Sequence, residues 1–128
     1  MLFRSDWITY QTGPIQTADD PYGSPSPYFR HRFTLSGSIK QATLYASALG
    51  VYKLYLNGKP ITEEYLSPGW VDYRKKLPFV RYDLTHRLQA DNAIGVILGD
   101  GWAVGHLGSN YSFTRCGYSS LPEFTAYL

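Results

Sequence analysis

The chain has 128 residues, 44% of them apolar and 16% aromatic, with 12 Lys+Arg against 10 Asp+Glu and a single Cys. That length can bury one core without staples, and a lone Cys116 excludes an internal disulfide and a multi-cysteine zinc site. The net charge of +2 is small and evenly spread, so it points to neither nucleic acid nor an anionic membrane. No apolar run approaches the roughly 20 residues of a membrane span. The opening Met1-Leu2-Phe3-Arg4-Ser5 carries no apolar signal-peptide core.

Twelve Tyr, six Phe, 12 Gly and eight Pro suit half-buried pleated surfaces punctuated by turns, so an all-β domain is expected. Residues 1–27 read as an irregular lead-in, with turn signals at Gly13-Pro14, Asp20-Pro21, Ser24-Pro25 and Ser26-Pro27. Within it, Trp7 and Ile8 are expected to anchor the N-terminus on the core. The sandwich proper is expected over 28–128. Alternation predicts a strand with one wet face at 28–35 and a second, with small buried residues, at 42–48. Val51 to Leu56 is a third, and Asn57-Gly58 demands a type I′ hairpin into a short return through Lys59, Pro60 and Ile61. A loop over 62–76 leads to a strand at 79–84, which ends at Asp83-Leu84-Thr85, where Asp83 should accept backbone hydrogen bonds. Asp91-Asn92 reads as a tight turn, and Ala93 to Leu98 as a strand covered on both faces. The seventh strand runs over 122–128. A chain that reads as strand to its last residue suggests a piece of a larger multidomain enzyme.

No nucleophile elbow, phosphate loop, dinucleotide fingerprint or zinc-protease motif is present. His31, His86 and His106 fall on different elements. Glycoside hydrolysis needs two carboxylates facing each other roughly 5–9.5 Å apart. Glu63 and Glu64 are adjacent, so on an extended chain they point opposite ways, and no catalytic residue is nominated. Sugar binding is better served, because a flat aromatic ring beside a few amides or carboxylates suits an apolar C–H face fringed with hydroxyls. Two loops offer that mix: Trp70, Asp72 and Tyr73 in one, Asp100, Trp102 and Asn110 in the other. Asp72, Asp100 and Asn110 could also donate oxygens to Ca²⁺. The alternative for both tryptophans is to plug the end of the sandwich or face a neighbouring domain.

Several stretches, in order, resemble one family. Gly50-Val51-Tyr52 through Asn57-Gly58-Lys59, Leu66-Ser67-Pro68-Gly69-Trp70-Val71-Asp72-Tyr73, Tyr82-Asp83-Leu84-Thr85 and Asn92-Ala93-Ile94-Gly95-Val96 through Gly99-Asp100-Gly101-Trp102 are similar to motifs of the bacterial α-L-rhamnosidase N-terminal domain. The likeness covers roughly residues 26–108. It implies a jelly-roll β-sandwich related to galactose-binding domains, serving as an accessory domain of inverting glycoside hydrolases of family 78. The resemblance places the catalytic acid and base on an (α/α)6 barrel of the same parent chain, and no position here matches them. It also implies an alternative role as a module binding L-rhamnose or related glycans, Ca²⁺-dependent in some members, with Trp102 the best match for the site's Trp. Ala103 stands where the family often has an aromatic, and Gln89-Ala90-Asp91-Asn92 replaces a Gly-containing turn.

Overall fold

The computed structural model describes residues 5–10, 25–105 and 118–128. Its elements in chain order are β1 (Tyr28–Thr34), β2 (Thr43–Leu49), β3 (Val51–Leu56), β4 (Lys59–Pro60), β5 (Val80–Asp83), β6 (Asp91–Gly99), α1 (Gly101–Val104) and β7 (Glu123–Tyr127). The strands form two antiparallel sheets, ordered β1-β6-β3-β4 and β5-β2-β7, and the fold is a β-sandwich.

The inner faces follow from period-two alternation. Tyr52, Leu54 and Leu56 of β3 and Val96 and Leu98 of β6 meet Leu44, Ala46 and Ala48 of β2, Tyr82 of β5 and Phe124 of β7. The small alanines of β2 leave room for the aromatic rings opposite. The Tyr52 ring meets Phe124 edge-on at 5.3 Å. Its hydroxyl lies 3.3 Å from the Ala46 carbonyl, to which it donates, and 3.1 Å from the Tyr82 hydroxyl. Burial, followed by the bond to Tyr82, pushes the Tyr52 phenol far above its ordinary range, so Tyr52 stays neutral at every working pH.

The Asn57-Gly58 hairpin has positive φ at both central residues, 51° and 80°, as a type I′ turn requires. Asn57 also stitches the hairpin to β6. Its backbone N–H donates to Ala93 O at 2.8 Å, and its side-chain oxygen accepts from Ala93 N at 2.8 Å.

Three expectations are corrected, and the N-terminal anchor is made by backbone. Asp91-Asn92 is not a turn but the start of β6, paired with Thr34 and Phe33. Asn92 is buried because its side chain closes the preceding turn, accepting from Gln89 N at 2.9 Å and donating to Gln89 O at 2.6 Å. Strand β6 is covered on one face only, since Ala93, Gly95 and Ile97 on the outer face are half-exposed. The Gly-rich stretch after β6 opens into the single-turn helix α1 instead of a loop. Trp7 and Ile8 do not bury their side chains, being 40% and 42% exposed. The attachment is by backbone, with Ile8 N donating to Phe124 O at 2.8 Å and Phe124 N to Ile8 O at 2.9 Å.

Replacing Tyr52 by Phe keeps the ring but strips the hydroxyl partner from Tyr82 and from the Ala46 carbonyl. We expect urea unfolding to show a loss of about 1–2 kcal/mol, with unchanged backbone chemical shifts beyond the Tyr82 neighbourhood.

Candidate functional site

One end of the sandwich gathers the two loops singled out in the sequence. Here β2 turns into β3 through Gly50, and β6 runs into α1 through Asp100 and Gly101. The two corners touch backbone to backbone. A Cβ on Gly50 (φ 137°) would lie 2.4 Å from Gly99 O, and one on Gly101 (φ 52°) would lie 2.7 Å from Val51 Cγ1 and 3.0 Å from the Gly50 carbonyl carbon. Only glycine fits both the left-handed backbone and the contact. Helix α1 rests on this contact, with Ala103 and Val104 buried beneath it and Trp102 left half-buried.

The loop over 62–76 is pinned to the same end by a bridge from Tyr52 N to Ser67 O, 2.7 Å. It then makes a sharp bend with a cis Ser67-Pro68 peptide, positive φ at Leu66 and Gly69, and Gly69 N donating to Leu66 O at 2.9 Å. Trp70 follows at the surface, 61% exposed. Tyr73 turns back: its hydroxyl donates to Gly69 O at 3.3 Å, and its ring meets Tyr118 edge-on at 5.2 Å. The Arg74 guanidinium lies 5.3 Å from the same Tyr118 ring. Ser119 N in turn donates to Ala103 O at 3.4 Å, so Tyr118 and Ser119 join the Trp70 loop to α1.

Of the six candidates, Trp70 is exposed, whereas Asp72, Tyr73, Asp100 and Trp102 are half-buried, and Asn110 lies outside the described residues, as do His106 and Cys116. Tyr73 and α1, which carries Trp102, are brought together through Tyr118 and Ser119. Asp72 is committed to its own turn. Its Oδ1 accepts from the Arg74 N–H at 3.2 Å and guanidinium at 3.3 Å, and its Oδ2 lies 3.5 Å from Lys75 Nζ. Partial desolvation pushes this carboxyl up, but the Arg74 backbone and guanidinium and the Lys75 ammonium together outweigh it and hold it below the usual carboxylate range. Asp83 is held down likewise, first by Thr85, whose N–H donates to Asp83 Oδ1 at 2.9 Å, as the sequence led us to expect.

A Ca²⁺ ion needs six to eight oxygens, several of them carboxylate. Among the described residues no three His, Cys, Asp or Glu side chains converge, and both Asp72 oxygens already face cations. The described donors therefore do not fit a Ca²⁺ site. Sequence reasoning missed Tyr118 and Ser119, because an isolated tyrosine 45 positions from Tyr73 carries no local signal of the contact.

Residues 37–128 match the family described as "Alpha-L-rhamnosidase N-terminal domain". The chain belongs to that family. It is 38% identical over its whole length to an alpha-L-rhamnosidase of Alteromonas sp. (strain LOR), covering 14% of that protein. It is 38% identical over 84% of its length to one from Streptomyces avermitilis, covering 10%. Among solved structures, the alpha-L-rhamnosidase of Aspergillus terreus superposes on 77% of the chain with TM-score 0.73 at 33% identity, over 12% of its own length. That of Dictyoglumus thermophilum superposes on 95% with TM-score 0.72 at 32% identity, over 14% of its own length. The chain thus spans only 10–14% of these rhamnosidases.

Two measurements probe the rhamnosidase domain, one at this end and one at the Asp83 turn beside the opposite end of β2. Gly101→Ala places a methyl against Val51 in a left-handed backbone, and we expect a loss of about 1–3 kcal/mol with altered tryptophan fluorescence. Asp72 and Asp83 have folded-state pKa values below their unfolded ones. Their stabilisation is therefore complete above the unfolded carboxylate range and disappears as pH falls through the folded values, from about pH 4 downward. Asp83→Asn should accordingly lower the melting temperature at pH 7, and its difference from the parent should shrink in melts run at progressively lower pH.

Proposed function

We propose that this chain is a non-catalytic accessory module of an α-L-rhamnosidase, packed on a catalytic (α/α)6 domain elsewhere in the same protein. Hydrolysis of terminal α-L-rhamnosides belongs to that domain. The observation that carries this reading is the match itself: the chain corresponds to the N-terminal domain of proteins seven or more times its length. The chemistry of Asp72 and Asp83 supports it. A glycosidase acid has its pKa raised so that it carries a proton at working pH. Asp72 and Asp83 are shifted the other way and tied into their own turns. Asp91 accepts the Thr34 hydroxyl at 2.8 Å.

A second reading, a module that binds L-rhamnose or a related glycan, is favoured by Trp70, whose ring stands at the surface on a loop anchored at both Tyr52 and Tyr118. The related Streptomyces avermitilis alpha-L-rhamnosidase, 35% identical over 80% of this chain, has been solved in complex with L-rhamnose.

The test has two arms. Incubated with an aryl α-L-rhamnoside, the 128-residue chain should release no aglycone; turnover abolished by a single carboxylate substitution would refute the accessory reading. In ligand-observed NMR with millimolar L-rhamnose, saturation transfer lost in Trp70→Ala or Trp102→Ala, with the fold intact, selects the binding module. Absence of transfer selects the packing role, and repeating the titration with a chelator measures any contribution of Ca²⁺.

A further inference from the structure

The outer face of the four-stranded sheet, on a different side of the molecule from the Trp70 loop, is a trough of about 770 Å³. The register of β1, β6 and β3 sets its floor and walls. One row across the sheet is Arg30, Gly95, Tyr55; the row on one side of it is Tyr28, Ile97, Lys53, and the row on the other begins Arg32, Ala93. Strands lie about 4.8 Å apart, so the Arg30 and Tyr55 backbones stand about 10 Å from each other across a glycine, which leaves room for a pyranose ring between their side chains.

Gly95 is not there for the fold. Its backbone does not lie in the left-handed region, and a Cβ would meet nothing nearer than Tyr55 Cβ at 3.8 Å and Phe29 O at 3.9 Å, ordinary contact distances. A glycine inside a central strand weakens it, and one that neither backbone nor packing requires marks close approach by something else. The charges beside it are uncommitted. Arg30 and Arg32 are exposed, and among the described residues neither guanidinium has a hydrogen-bond or ion-pair partner. Lys53, by contrast, is drawn away: its ammonium donates to Thr62 O at 2.6 Å and Glu64 O at 2.9 Å and lies 4.1 Å from the centre of the Tyr65 ring. The one carboxylate in the lining, Asp91, lies one row beyond Arg32 and Ala93 and accepts the Thr34 hydroxyl.

We propose that this trough is a binding site for a hexuronate residue of a glycan. The apolar face of the sugar ring lies over Gly95 against Tyr55, and its carboxylate meets the forked donors of Arg30 and Arg32. A neutral sugar would leave both guanidiniums unused, and a bare anion would leave the apolar floor uncovered. The site is independent of the role assigned to the Trp70 and Trp102 loops and stands or falls separately from it.

The test is a two-dimensional NMR titration of the chain with the methyl glycosides of glucuronate and galacturonate, of glucose and galactose, and with acetate. Saturating shifts of the Gly95, Ala93 and Arg30 amides by uronosides with a millimolar Kd are expected, at least about tenfold weaker for the neutral glycosides. Arg30→Gln with Arg32→Gln should weaken uronoside binding by a similar factor, and Gly95→Val, which fills the floor without straining the backbone, should abolish it in a folded protein. Equal binding of neutral glycosides, equal shifts from acetate, or undiminished affinity in Gly95→Val would overturn the proposal. So would no saturating shift up to about 50 mM uronoside; the face would then suit an acidic segment of the longer protein.

Discussion

Strand β6 is hydrogen-bonded along both edges, to β1 and to β3, and this double pairing is the constraint on which the rest of the domain depends. Because side chains alternate, one register decides three things together. It sends Val96 and Leu98 into the core, turns Ala93, Gly95 and Ile97 to the outer face, and delivers Gly99 against the β2–β3 corner. A slip of one residue would exchange the two faces and separate the glycines. The side chain of Asn92 at the entry of β6 and that of Asn57 at the end of β3 hold this register, since both hydrogen-bond the neighbouring backbone.

The two ends of β6 have different consequences. At its end, close contact through Gly50 and Gly101 allows the chain to fold directly into α1, so that Trp102 sits on a rigid support. The Trp70 loop is fastened to the same region at Ser67 and Tyr73. Both tryptophans are thus held by backbone and ring contacts while part of each indole stays at the surface. That arrangement suits docking against a neighbouring domain and suits a sugar face equally well, because both present flat apolar surface rimmed by polar groups.

Local signals were legible where local sterics govern. The Asn57-Gly58 turn, the bounds of β3, the Asp83 turn and the small buried residues of β2 were each read from a few neighbouring residues, and each is observed, although Ser47 of β2, read as outward, is fully buried and donates to Pro78 O. The ordered motifs from Gly50 to Trp102 identified the family, which the match over residues 37–128 establishes. Reading failed where the deciding partner is distant. Asp91-Asn92 looked like a turn because Asn and Asp favour turns, yet Asn92 serves the turn before it from inside the strand. The apolar run of β6 looked doubly covered because composition does not say whether a second layer exists.

By itself, then, the sequence determined the fold class, the positions of most strands and the family, since these rest on side-chain period, on backbone φ preferences at Gly, Pro and Asn, and on ordered motifs. Only the tertiary structure decided which residues share a surface. Arg30, Gly95 and Tyr55 are scattered over 66 positions and become one row through strand pairing. Tyr73 meets Tyr118 across the same end. Such contacts are set by sheet register and inter-sheet packing, which join residues far apart in the chain and leave no mark in any short window of it.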